Sequence, residues 1–403
     1  MNLPRADVAI VGGGIVGATL ALLLAEIGRV DASRIVLIEP EPAVAPAQGS
    51  PFQLRVSAIA PANRHMLLEL GAWPKLDASR VADYERMRVW HESVPPDSPD
   101  VLCFDAAEAG EQNLGSIVEN NALQAALLVR CQEQGVRVLT RSLQSLTVDA
   151  ASATLGLDDH TQLAAELVVG ADGAASAVRG MLGMAIDTRD YGQRAIVATV
   201  RASRSHQSTA WQRFLSTGPL ALLPLPGDEC SIVWSAVTGR ADELLALAPA
   251  QFEEQLTQAS AGVLGKLQLT STRAAFALRR LSARKYVAAR VALVGDAAHV
   301  IHPLAGQGVN QGLEDAAALA HSLAERPARE SVGAMAALLR YQRERRTGNA
   351  LAATTVDSLN LLFTGAGALR TWVASAGMAL VGRSSQARQI LVRQAAGRSL
   401  LRR

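Results

Sequence analysis

The chain has 403 residues, 39 Lys and Arg against 37 Asp and Glu, and a net charge of +2. With no long basic stripe, that balance argues against nucleic acid as the main partner. Apolar residues make up 49% and charged residues 19%, which excludes intrinsic disorder, and the length suffices for two domains or one large domain with an inserted part. Cys103, Cys131 and Cys230 form no CxxC pair and are odd in number. A reducing, cytoplasmic compartment follows, with the thiols expected in cores as small apolar groups. The run Val8 to Ile15 is too short for a bilayer and is broken by glycines, so a soluble chain is expected, at most peripheral on an inner membrane surface.

In chain order, Asp7 to Val11 is an apolar run suited to a buried parallel strand. Ile15 to Ile27 is rich in Ala and Leu, predicting a helix that Gly28 stops, and Arg34 to Glu39 (RIVLIE) predicts a second buried strand. An amphipathic helix is expected over 57–70, alternating short runs over 86–104, a helix over Asn121 to Glu133 and a strand over Val136 to Leu139. The stretch 142–171 reads as a meander closing with LVVGAD. The segments AIVATV, LALLPL, CSIVWSAV and AAFALRRL between 190 and 280 predict an inserted sheet. VALVGDAAH returns to a buried strand and a glycine-rich loop, and the chain from Asn310 onward reads as mostly helical.

The first chemistry-bearing motif is Gly12-Gly13-Gly14-Ile15-Val16-Gly17, a GxGxxG between strand and helix. Gly12 permits a tight turn, Gly14 lets backbone approach a pyrophosphate, and Gly17 lets helix and strand pack closely. The helix N-terminus offers free N–H groups and a positive dipole end to phosphates. Glu39, at the end of the second strand, can accept hydrogen bonds from ribose hydroxyls and disfavours the extra phosphate of NADP. This unit reads as a dinucleotide site, without separating NAD from FAD.

Two later segments make that separation: Val169-Gly170-Ala171-Asp172-Gly173-Ala174-Ala175-Ser176-Ala177-Val178-Arg179, and Gly295-Asp296-Ala297-Ala298-His299 followed by His302-Pro303-Leu304-Ala305-Gly306-Gln307-Gly308-Val309-Asn310. With them the chain resembles the class A flavoprotein aromatic monooxygenases and, among these, the ubiquinone-biosynthesis hydroxylases. The resemblance spans nearly the whole chain. It implies an α/β fold: a Rossmann-like, glutathione-reductase-like FAD-binding domain (1–72, 101–184 and 285–350), an inserted β-sheet substrate domain (73–100 and 185–284) and a helical C-terminal region (351–403).

It also implies roles. Asp296 would bind the ribityl chain of FAD, and Pro303 to Gly308 would lie along the flavin. The backbone of Gly306, Gln307, Gly308, Val309 and Asn310 would face the pyrimidine end, where a helix start can stabilise negative charge. Asp172 and Gly173 would brace the pyrophosphate and lie near NAD(P)H. Arg55 matches an arginine that contacts the cofactor, although Phe52 and Gln53 before it depart from the usual pattern. Asn120, with Asn121 as competitor, matches a polar residue reaching FAD. The backbone of Pro303 and Gly306 would shape the oxygen site. The implied reaction uses NADH or NADPH and O2, through a flavin C4a-hydroperoxide, to hydroxylate the ring of a polyprenylated phenol.

His299 and His302 are three apart but lack further ligands nearby in sequence, so no metal is expected. The absence of CxxC argues against a flavin disulfide reductase, and that of WxWxIP against a flavin halogenase. Trp90, Trp211 and Trp234 fit core packing or a pocket wall equally well. The run Leu359 to Phe363 and the later arginines Arg383, Arg388, Arg393, Arg398, Arg402 and Arg403 form no single helical stripe. They read as a solvated basic tail or as a contact with a membrane surface or with ubiquinone-biosynthesis proteins. A flavin reductase or epoxidase acting on an isoprenoid lipid, or a flavin-containing assembly subunit with little turnover, are the competing readings.

Overall fold

The computed structural model describes residues 5–301 and 307–363. The chain starts with β1 (Arg5–Val11), α1 (Ile15–Glu26) and β2 (Ile35–Ile38). β2 runs parallel to β1 with Ile35 opposite Val8, and all four of its residues are buried, as a strand covered on both faces requires. α1 is apolar around most of its circumference because it lies between the sheet and two further helices.

Next come β3 (Val56–Ile59) and α2 (Pro61–Glu69). The expected helix over 57–70 therefore begins four residues late. Val56-Ser57-Ala58-Ile59 pairs with a strand further on, and Pro61, which needs no N–H partner at a helix start, sets the real beginning. Then follow β4 (Ala82–Tyr84), β5 (Arg86–His91), β6 (Leu102–Asp105), β7 (Gly115–Glu119), α3 (Asn120–Glu133), β8 (Arg137–Leu139), β9 (Leu143–Val148), β10 (Ala153–Leu157), β11 (Gln162–Gly170) and α4 (Ala177–Met181). β5 and β6 pair antiparallel, so the boundary expected at residue 100 falls inside this pair of strands and cuts β6 from its partner.

The inserted region holds β12 (Ile186–Ala202), β13 (Thr209–Leu215), β14 (Gly218–Pro224), β15 (Glu229–Val237), α5 (Thr238–Ala246), α6 (Pro249–Ala259), β16 (Leu267–Leu269) and β17 (Ala274–Ala283). The four expected β segments lie on β12, β14, β15 and β17, and the structure adds β13, β16 and the two helices. β18 (Val287–Ala288), β19 (Val291–Leu293), β20 (His299–Val300), α7 (Gln307–Ala324) and α8 (Met335–Phe363) complete the described chain.

The strands form three sheets. An eight-stranded sheet runs β18-β19-β11-β1-β2-β8, with β10 and β9 added to β11 in an antiparallel extension. A nine-stranded sheet runs β20-β17-β12-β15-β14-β13-β5-β6, with β16 on β12. A three-stranded sheet, β3-β7-β4, lies between them in sequence. The first sheet shares a core with α1, α3 and α7. In the second, Ile196, Leu222, Ile232 and Trp234 pack on Phe252 and Leu256 of α6. Successive strand residues alternate faces, so Leu223 points the other way and packs against Ala58 and Ile117 of the small sheet. Its face is the one turned toward the first half of the molecule. Trp90 and Trp234 are buried and Trp90 meets Trp211 edge to face, which places the tryptophans in packing roles. Cys131 and Cys230 are buried as expected, but Cys103 is exposed: it sits on β6 at the edge of its sheet, where one face is open.

Candidate functional site

The loop from Gly12 to Gly17 lies at the carboxyl end of β1, beside its parallel neighbours β2 and β11. Gly12 has φ +100°, and a Cβ there would lie 2.3 Å from the Ala171 carbonyl oxygen. A Cβ on Gly17 would lie 1.9 Å from the Gly12 carbonyl oxygen, so α1 can start this close to the strand only with glycine. No atom lies within 4 Å of the corresponding position on Gly14, and no side chain caps α1. The helix thus begins with free N–H groups facing open space. Glu39 borders the loop: its carboxylate accepts the Gly13 N–H at 2.7 Å and the Glu41 N–H at 3.1 Å.

The segment after β11 folds against this loop. Asp172 accepts the Val178 N–H at 3.1 Å with one carboxylate oxygen, and its other oxygen is buried with no partner. Gly173 follows with φ +77°. Ser176 caps α4 by accepting the Arg179 N–H at 3.0 Å. The buried Arg179 guanidinium donates to the Ala174 carbonyl at 2.7 Å and to the Ala297 carbonyl at 2.8 Å, tying this segment to the loop that carries Asp296. Val16 lies close to both Gly295 and Gly312, where a Cβ would come 3.3 Å and 2.5 Å from its side chain. The three glycine-bearing segments therefore meet at one point, at the N-terminus of α1.

Asp296 has no hydrogen-bond donor among the described residues, and solvent reaches it although protein surrounds it, as on a cleft wall. Burial raises its pKa above the usual carboxylate range, and His299 and Arg55 pull it partly back. Arg55 is exposed and shares this electrostatic neighbourhood. Behind Asp296 lies a buried polar network. Asp315 of α7 accepts the Gly295 N–H at 3.0 Å, lies 2.5 Å from His299 Nε2, and accepts from Arg345 Nε of α8 at 2.6 Å. Burial alone would raise the Asp315 pKa, but its interactions with His299 and Arg345 bring it down to about 2. A second buried pair, Arg80 with Glu119, holds the other rim: Glu119 also accepts the Gln53 N–H at 2.7 Å, fixing the chain that leads to Arg55.

Asn120 opens α3, and its side-chain oxygen accepts from Ser57 at 2.7 Å, whereas Asn121 is exposed. The side chain of Asn310 is engaged by protein: it donates to the Ala58 carbonyl at 2.7 Å and accepts the Ala60 N–H at 2.9 Å. That leaves the backbone of Gly308 and Val309, in the first turn of α7, as the part to weigh against a ligand. Pro303 and Gly306 lie outside the described residues, as do the side chain of Gln307 and the basic tail beyond residue 363.

Sequence reading passed over four residues that complete the arrangement. Gln124, one turn after Asn120 on the same face of α3, donates to the Gly13 carbonyl at 3.1 Å. Arg179 was noted only as part of a motif. Asp315 and Arg345 were not singled out; the available signal was an acid inside the apolar helix LEDAAALA, a position a charge holds only when paired.

The chemistry of these groups fits a bound FAD. An uncapped helix start with open space over Gly14 suits a pyrophosphate, Glu39 suits a ribose, the Asp172 oxygen is an unused acceptor, and Asp296 offers an ionisable acceptor on the cleft wall.

Residues 5–355 match the FAD binding domain family. The chain is 38% identical to ubiquinone hydroxylase UbiL of Rhodospirillum rubrum, over 97% of this chain and 90% of that protein. It is 37% identical to the 3-demethoxyubiquinol 3-hydroxylase of Escherichia coli, over 87% of this chain and 88% of that protein. Among solved structures it is similar to p-nitrophenol 4-monooxygenase PnpA of Pseudomonas putida, with a TM-score of 0.77 at 18% identity over 99% of this chain and 100% of that one. It also resembles Klebsiella pneumoniae HpxO complexed with FAD, with a TM-score of 0.76 at 17% identity over 99% and 100%. At these identities the two structures speak for the fold.

Proposed function

The chain belongs to the FAD-dependent hydroxylases of ubiquinone biosynthesis, and on that premise we propose that it hydroxylates the aromatic ring of a polyprenylated phenol with NAD(P)H and O2. Bound FAD supplies the redox chemistry, and the protein's part is to hold it, present the ring and keep water out.

The observation that carries the reading is the joint made by Gly12–Gly17, Asp172–Arg179 and Gly295–Ala298, tied by the Arg179 bonds and by Val16. We assign the pyrophosphate to the open N-terminus of α1 and the adenosine ribose to Glu39. Asp296 takes the ribityl hydroxyls, and Arg55, Asn120, Asp172 and Gly173 line the same cleft. The backbone at Gly308–Asn310 donates toward the flavin ring. The assignment of an oxygen site to Pro303 and Gly306 rests on the family resemblance.

The ring then faces the second sheet. On the side turned inward, Ala195 stands opposite Ser235, Val197 opposite Val233, and Val233 opposite Ala221. These small side chains leave room for a planar ring, and Phe276, beside Ala195 and 46% exposed, offers it an aromatic neighbour. We assign the substrate region to 73–105 and 185–284, which keeps β5 and β6 together, and the FAD-binding region to the remainder up to 350. Because the ring carries an apolar tail, the enzyme is expected to work at the surface of a membrane. Among the described residues no helix is long and apolar enough to cross one.

Purified protein reconstituted with FAD, NADPH and a short-chain prenylated phenol in 18O2 tests the reading by mass spectrometry. One labelled oxygen in the product supports it. NADPH oxidation with no labelled product, or flavin binding with no substrate-stimulated oxidation, sinks it in favour of a reductase or an assembly subunit.

A further inference from the structure

A cavity of about 640 Å³ lies between the β17–β20 edge of the second sheet and α8. It is separate from the Gly12–Gly17 cradle. Among its described lining residues are the guanidinium groups of Arg280, Arg343 and Arg346 and no carboxylate; Arg280 is engaged by a partner of its own, so Arg343 and Arg346 carry the argument.

The sequence Arg343-Glu344-Arg345-Arg346 distributes its charges in two directions. Arg345 turns inward, buried, onto Asp315 and Glu314. Arg343 and Arg346 are exposed and form no ion pair with any described residue. With Thr347 and Ala350 they follow the i, i+3, i+4, i+7 spacing of one helical face, so they share the cavity wall while Glu344 falls off it. Like charges one turn apart oppose each other. Deeper in, Leu281 and Ile301 are buried and apolar. The cavity thus has a cationic mouth and a buried lining that is part apolar, from Leu281 and Ile301, and part polar, from Tyr286, His299 and Asn349, with Ser282 and Gln342 as further polar groups on its wall.

We propose that this cavity binds the phosphate headgroup of an anionic phospholipid, with Arg343 and Arg346 on the phosphate and the glycerol and first methylenes against Leu281 and Ile301. Guanidinium groups suit a phosphate because they donate paired N–H bonds to its oxygens. The apolar patch formed by Leu281 and Ile301 favours a lipid over free phosphate. The site would seat the protein on a membrane with β20 and Ile301 close to it. It rests on the cavity and not on the identity of the substrate, so lipid binding and hydroxylation are read separately.

The test is flotation of the full-length, FAD-loaded protein with vesicles of phosphatidylglycerol and phosphatidylcholine, against phosphatidylcholine alone. Arg343→Gln with Arg346→Gln is expected to weaken binding to the anionic vesicles roughly thirtyfold, while FAD content and melting temperature stay as in wild type. The control pair Arg398→Gln with Arg402→Gln in the tail is expected to change binding far less. Independently of any variant, phosphatidylglycerol vesicles should protect Arg343 and Arg346 from phenylglyoxal, read by peptide mass, and inorganic phosphate at equal phosphate concentration should not. The proposal is overturned if the cavity pair floats like wild type, if only the tail pair loses binding, or if inorganic phosphate or NADPH protects while vesicles do not.

Discussion

The two large sheets use their residues in opposite ways. The first has a centre of parallel strands, β2, β1, β11 and β19, whose carboxyl ends carry tight glycine turns, free N–H groups and a few acids. The second is antiparallel for most of its width, with one face packed on α6 and the other lined by small side chains. On the proposed assignment the cofactor is held largely by main chain, whose geometry the glycines fix. The proposed substrate face is made of side chains, which can change without disturbing a turn.

Substitutions can break that contrast at several strengths. The largest effect is expected at Asp315. Asp315→Ala leaves Arg345 and His299 buried without their acceptor and should cost about 3–5 kcal/mol of stability, measured by urea unfolding. The pH dependence sharpens the assignment. The folded carboxyl titrates near 2, below its ordinary value of 3.8, so its contribution is complete above about pH 4 and is lost as pH falls toward 2. The stability difference between wild type and Asp315→Asn should therefore be flat from pH 7 to about pH 5 and shrink below about pH 4. A difference that grows on acidification would show that the network is held by something else.

Asp296→Ala should leave the fold intact and weaken FAD binding by about 1.5–3 kcal/mol, a loss of ten- to a hundredfold or more, read by quenching of flavin fluorescence. Unchanged affinity would mean that the cofactor lies elsewhere. Phe276→Ala addresses the other sheet. It should raise KM for a prenylated phenol by about fivefold, corresponding to about 1 kcal/mol of lost apolar burial, with FAD affinity unaltered. Parallel losses in both quantities would abolish the division of labour between the sheets. The smallest perturbation is chemical. Burial pushes the Cys131 and Cys230 thiols up to about 12, whereas Cys103 is exposed. Native protein should take up one equivalent of iodoacetamide at Cys103 and all three only when unfolded.

The first sheet was the more legible for a physical reason. Gly12, Gly17 and Glu39 lie within one local unit, and glycines at close backbone approaches leave a direct mark on sequence. β3 was hidden because VSAIAPANRHMLLEL carries apolar residues at helical spacing, and its strand partner, β7, comes almost sixty residues later. β13 was missed because Trp211-Gln212-Arg213-Phe214 mixes charge into a strand whose Arg213 bonds to the end of α6. Buried ion pairs are legible only in retrospect: Arg80 and Glu119, or Asp315 and Arg345, meet by tertiary folding, with no periodic signal to join them. The exposed Cys103 follows from an edge position that composition does not encode.

The passage from Leu293 to His299 leaves the first sheet and enters the second within six residues. Fully extended, such a segment spans roughly 20 Å, but here part of its length is wound into the short turn Gly295–Ala297. It is a tether with its slack stored at one place. If the sheets draw apart, the turn must unwind first, and with it the position of Asp296. The spacing of the two sheets and the position of Asp296 are thereby linked through one short turn, a single mechanical variable.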